Sequence, residues 1–204
     1  ILPFLLFILI PLAALLLRAD PGLVWAALQG DTVRQAVALS LSTSVVTVAV
    51  TFLFGTPVAY YLAHRHYTFH RLVDTLIDLP TVLPPAVAGV ALLMAFGRRG
   101  LVGEWLEVWG IHIAFTLVAV VMAQTFIAAP LYVKTATIGF ASVDRDMEQA
   151  AALDGAGGRQ VFRFITLPLA RSALLGGAVM TWARALGEFG ATIIFAGNYP
   201  GRTQ

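Results

Sequence analysis

Arg184 and Glu188 lie four positions apart inside an apolar stretch that runs from about Ser172 to Gly197. On a helix that spacing puts both on one face. Charge at membrane depth is costly and normally faces protein or water. Two readings follow: a buried structural ion pair with further partners on other helices, or the border of a translocation path. In the second, hydroxyls such as Thr181 or Thr192 add weaker contacts. Ala183, Gly187 and Ala191 form an adjacent stripe of small residues, a pattern that lets membrane helices approach closely. His64, His66 and His70 fall in a short basic segment and read as a solvated rim rather than a metal site. Asp74 and Asp78, one turn apart, are expected to pair with neighbouring arginines. No phosphate loop ending in Lys-Ser or Lys-Thr is present, because the Gly155–Gly158 cluster lacks the lysine and follows no strand. Zinc-protease and nucleophile-elbow motifs are missing, and there is no cysteine. The sequence therefore carries no catalytic constellation, no metal set and no ATP site of its own. A net charge of +2 makes no case for nucleic acid.

The elements that hold these residues are membrane helices. Of 204 residues, 59% are hydrophobic and 12% charged, about half the charged fraction of a soluble domain. Ile1–Leu17, Ala36–Ala63, Leu79–Phe96 and Ile113–Val133 contain no charge. A span needs about 20 mostly apolar residues. The third stretch reaches that length from Leu76, with Asp78 near one face. The first lacks a basic start and a small-residue cleavage pattern, so it reads as a helix rather than a signal peptide. The expected organisation is one all-α, polytopic membrane domain over 1–204, with spans at about 1–17, 36–63, 76–96, 113–140 and 169–197 and a loop at 141–168. Continuous apolar runs without alternation argue against a barrel. Arg18–Gln35 reads as a connecting loop, and Pro57, Pro80, Pro84, Pro85 and Pro130 as kinks or breaks. The tail reads as an external loop turning at Pro200 and Gly201, with a sixth span expected beyond Gln204. With the N-terminus inside, Arg65, Arg71, Lys134, Arg145, Arg159, Arg163 and Arg171 collect on the cytoplasmic side, in keeping with the positive-inside rule.

The polar loop has an internal order. Asp144 is an N-cap candidate, with Asp146 and Glu148 in the first turn. Ala150–Ala152 favour helix, and Gly155 is a stop. A second short helix, apolar at Val161, Phe162 and Ile165, is expected next, and Pro168 is expected to open the following long helix. Two short helices at a sharp angle then project from the membrane.

Ala150, Ala151, Gly155, Ile165, Leu167 and Pro168 resemble, in type and spacing, the EAA loop of ABC importer permeases. The family's glutamate falls on Gln149, with Glu148 beside it. The stretches RALGEFGATIIFAGNYPGRTQ and DLPTVLPPAVAGVALL are similar to the molybdate and tungstate branch, with the sulfate branch a close relative. The resemblance implies a coupling loop, around Glu148, Gln149, Ala150, Ala151 and Gly155, that docks on a cytoplasmic ATPase subunit. It further implies a multi-pass protein of a prokaryotic inner or plasma membrane, working as two permease copies with two ATPase subunits. ATP and magnesium belong to those subunits, and an extracytoplasmic binding protein delivers the oxyanion. The alternatives are a sulfate or thiosulfate permease and, from another class, a channel or secondary transporter, which has no need of the Gly155–Pro168 loop.

Overall fold

The structure is a computed structural model and describes residues 1–64, 70–199 and 203. His66 of the expected histidine rim, Arg65, and the turn at Pro200 and Gly201 lie outside the described residues. Those described form helices with no strand among them: α1 Leu2–Arg18, α2 Pro21–Gln29, α3 Asp31–His64, α4 His70–Val82, α5 Pro85–Phe96, α6 Gly103–Val108, α7 Leu117–Ala141, α8 Arg145–Leu153, α9 Gly158–Val161, α10 Leu167–Leu186 and α11 Gly190–Phe195. By length and composition, α3, α7 and the continuous run Gly158–Leu186 can each cross a membrane. The bent pairs α1–α2, at 74°, and α4–α5, at 113°, qualify as broken spans or re-entrant loops.

Local chemistry accounts for the departures from the expected layout. The segment 18–35 is helical rather than a loop, because Asp20 caps α2 through the Gly22 N–H at 2.8 Å and Pro21 suits the first helical position. The 34 residues of α3 make a rod of about 51 Å at 1.5 Å per residue. That exceeds a hydrocarbon core of about 30 Å, so its ends extend beyond it. The third apolar stretch is two helices, because a proline pushes the residue before it out of the helical region and Pro84 precedes Pro85, with ψ at 136°. Pro57 and Pro130, by contrast, lie inside continuous helices. The fifth stretch is also divided: α10 ends at Leu186 and α11 begins at Gly190.

The buried centre of the bundle is α7, packed between α3 and α10. At the loop end, Ala59, Leu62, Tyr132, Ala136, Phe140 and Leu174 form one core cluster. At the other end Ala88, Leu92, Ala119, Ile127, Ala191 and Phe195 form a second, which joins α5, α7 and α11. Close approach depends on small residues. A side chain at Gly89 would lie 2.8 Å from the Ala191 carbonyl oxygen, and one at Gly139 would run into Ala173 of α10. The stripe expected from Ala183, Gly187 and Ala191 does not form. The helix ends before Gly187, Ala183 and Gly187 are exposed, and only Ala191 is buried.

Candidate functional site

The loop between α7 and α10 is a knob of short capped helices. Asp144 accepts a hydrogen bond from the Asp146 N–H at 2.9 Å and so opens α8. At the other end Gly155 has φ +91°, a conformation glycine adopts without a side-chain penalty. The Ala156 N–H donates to the Ala151 carbonyl at 2.9 Å, and the Gly155 N–H to Ala152 at 3.1 Å. This is the paired Schellman closure, which satisfies carbonyls otherwise stranded at a helix end. Met147, Ala150 and Leu153 recur every third residue of α8 and are exposed, as is Gln149, whereas Ala151 is half-buried.

The second half of the loop differs from expectation. Pro168 stands in the first turn of α10 as expected, but no break precedes it. The backbone runs unbroken from Gly158 to Leu186 through a π-helical turn at Phe162–Thr166. Pro168 has no N–H to give the carbonyl four residues back, and its ring crowds that carbonyl. The helix widens just before it, and the Leu167 N–H donates to Phe162, five residues back. Ile165 lies in this turn, half-buried, while Leu167 packs on the loop-end core and Pro168 faces outward.

Glu148 faces inward from the knob. One carboxylate oxygen accepts from the Thr166 hydroxyl, and the other lies 3.4 Å from Nε2 of His64, at the end of α3. One side chain thereby joins α8, the π turn and α3. Tyr60, His64, Arg145, Glu148 and Gln149 line a cavity of about 320 Å³ beside it.

Deeper in the bundle, Arg184 and Glu188 meet at 2.8 Å. Arg184 is in the last turn of α10, and Glu188 is in the break before α11. The second Glu188 oxygen accepts the Ala191 N–H at 2.8 Å, which satisfies one of the unpaired donors at the start of α11. The carboxylate is thus fully engaged, with 1% of its side chain exposed, against 34% for Arg184. Beside the pair lies a cavity of about 130 Å³, lined by Ser40, Thr43, Gln124, Glu188, Thr192 and Asn198 among others. The buried Thr192 hydroxyl finds no hydrogen-bond partner among the described residues. Thr181 does not reach this cavity: it is buried and donates to the Ala128 carbonyl at 3.4 Å. Asp78 pairs with Lys134 of α7 rather than with an arginine, because the bend at Pro84 leaves α4 packed on α7.

The structure adds further functional candidates. The buried face of α3 carries hydroxyls at Thr43, Ser44, Thr47 and Thr51. Gln124 of α7 accepts from Thr47 at 2.8 Å and donates to Thr43 at 3.3 Å, and Trp182 of α10 donates to Ser44 at 3.0 Å. Their signal was available as Ser and Thr recurring every three or four residues within an uncharged run. Among the described residues no group of three or more His, Asp or Glu side chains is placed to hold a metal ion.

Residues 55–203 match the family model described as "Binding-protein-dependent transport system inner membrane component". The chain belongs to this family. As a family member it is a multi-pass membrane protein and a component of a binding-protein-dependent transport system. The Molybdenum transport system permease protein ModB of Mycobacterium tuberculosis (strain ATCC 25618 / H37Rv) is 41% identical over 97% of this chain and 75% of its own length. The protein of the same name from Escherichia coli (strain K12) is 43% identical over 85% of this chain and 76% of its own. That of Haemophilus influenzae is 40% identical over 83% of this chain and 74% of its own. The family match takes in the whole α8–α10 knob together with Arg184 and Glu188.

Proposed function

We propose that this family member is the membrane subunit of an ATP-driven importer that carries molybdate or tungstate into the cytoplasm. The observation that carries the reading is the identity of 41% over 97% of the chain with a molybdenum transport permease. In this reading two copies of the chain pair, and each knob docks on a cytoplasmic ATPase subunit that holds ATP and magnesium. A binding protein delivers the oxyanion to the opposite face. The docking surface is α8 around Gln149, Ala150 and Ala151, with Met147 and Leu153 exposed beside them. Gly155 fixes where the surface ends, and Ile165, Leu167 and Pro168 join it to α10. ATP binding shifts the spans only through contacts that differ between the two states, and the knob is where those contacts lie.

The exit path has to hold a dianion weakly enough to release it. Glu188 is committed to Arg184 and to the α11 backbone, so its role is to set the break and moderate the arginine. The cavity beside it is lined by neutral polar groups: the hydroxyls of Ser40, Thr43 and Thr192 and the amides of Gln124 and Asn198, with the Thr43 hydroxyl already donating to the Ser40 carbonyl. Its volume of about 130 Å³ has room for roughly four waters at about 30 Å³ each. A hydrated route past these groups suits a tetrahedral oxyanion in transit. The deciding experiment adds molybdate, tungstate or sulfate, each with the binding protein, to the reconstituted complex and follows ATP hydrolysis. Stimulation by molybdate and tungstate is expected. Stimulation by sulfate alone would overturn the substrate assignment.

A further inference from the structure

His64 closes the last turn of the 34-residue α3, where the helix dipole favours a cation. Both of its ring nitrogens face acceptors. Nδ1 lies 3.0 Å from the Tyr60 carbonyl oxygen, which can only accept. Nε2 lies 3.4 Å from a Glu148 carboxylate oxygen. A neutral imidazole has one N–H and cannot satisfy both positions. With Nδ1–H committed to Tyr60, the Nε2 to Oε2 contact needs a second proton, whether the ring or the carboxyl group carries it. Without that proton, a ring lone pair faces a carboxylate. The other Glu148 oxygen is held by Thr166, which is fully buried, so the carboxylate has little freedom to turn away. The ring also lies against Tyr60, with centroids 4.2 Å apart. Among the described residues, the charged or titratable groups around it are Glu148 and Arg145 of α8 and Tyr60 of α3, while the π turn contributes the uncharged Phe162 and Thr166.

We propose that His64 and Glu148 are positioning residues that clamp the docking knob to the end of α3 through one shared proton. Closed, the clamp makes α8, the π turn and α3 move as one body, so ATPase motion reaches the span. Open, the knob is held by its chain connections to α7 and α10 and by the π turn but not by α3, and hydrolysis proceeds with less transport. The proposal rests on the docking role assigned to the knob above.

The test uses the full chain assembled with its ATPase subunits in proteoliposomes, with binding protein and molybdate. The readout is molybdate taken up per ATP hydrolysed, followed across about pH 5 to 8. For the unaltered protein the ratio is expected to fall as pH rises. His64→Ala is expected to give a low ratio throughout, with the largest loss against the unaltered protein at the acidic end. His64→Arg supplies several N–H donors and a fixed charge, so its ratio should stay high and flat; it also shows that the position tolerates substitution. A pH-independent ratio in the unaltered protein, or an unchanged ratio in His64→Ala, would overturn the clamp. Should the unaltered protein capture no ATPase subunit, the docking reading fails first, and the clamp with it.

Discussion

Glu188 is a carboxylate sealed inside a membrane bundle, and it persists because both of its oxygens are used. Removing one partner of such a buried pair leaves a charge with no compensation, typically at a cost of about 3–5 kcal/mol, whereas removing both is often far milder. Arg184→Gln is therefore expected to lower the detergent-solubilised protein's melting temperature sharply. The double change Arg184→Gln with Glu188→Gln should recover most of that loss, since a glutamine oxygen can still accept the Ala191 N–H. Additive losses in the two single variants, read by thermal unfolding, would count against a coupled pair. The i, i+4 spacing made this contact legible in advance. It did not reveal that Glu188 also caps α11, because no proline marks the break at Gly187. His64 was legible as a residue but not as a clamp: its partner Glu148 is 84 positions away, and single-chain spacing carries no information about such a pair.

Among the elements, α8 was the best specified. Asp144, the alanines and Gly155 each act within a few residues of themselves, so their effect survives in any tertiary context. Gly155 gives the cleanest prediction. A side chain there meets nothing within 4 Å, so Gly155→Ala is penalised only through its backbone at φ +91°, by about 1–2 kcal/mol. Gly158 is equally open but has an ordinary backbone, and alanine there should be neutral or slightly stabilising. Capture of the ATPase subunit by the detergent-purified permease should fall for the first variant and hold for the second. Equal behaviour would mean that the Schellman closure does not shape the docking surface. The helical 18–35 segment, the folded third stretch and the unbroken Gly158–Leu186 run all involve prolines, whose effect depends on position: Pro21 suits a first turn, Pro85 drives the residue before it out of the helical region, and Pro168 is bypassed by a π turn.

For the whole molecule, the apolar runs made an α-helical membrane bundle legible, but not which helix is central. That place falls to α7 because small residues let α3 and α10 close on it from two sides. Gly139→Val should wedge α7 from α10 and cost about 1–3 kcal/mol as an overpacked core. Thermal unfolding checks this, with Gly176→Ala as the comparison, since nothing lies within 4 Å of that position. The π turn has a consequence for the assembled machine. Each residue advances a helix by about 100°, so one residue more or fewer in Phe162–Thr166 changes by that angle the direction in which α9 leaves the α10 axis. On the docking role proposed for the knob, the azimuth at which it meets its motor is set by counting, much as the phase of a gear is set by a single tooth. A substitution on the knob changes how well it fits, whereas a one-residue deletion in that turn points it in another direction.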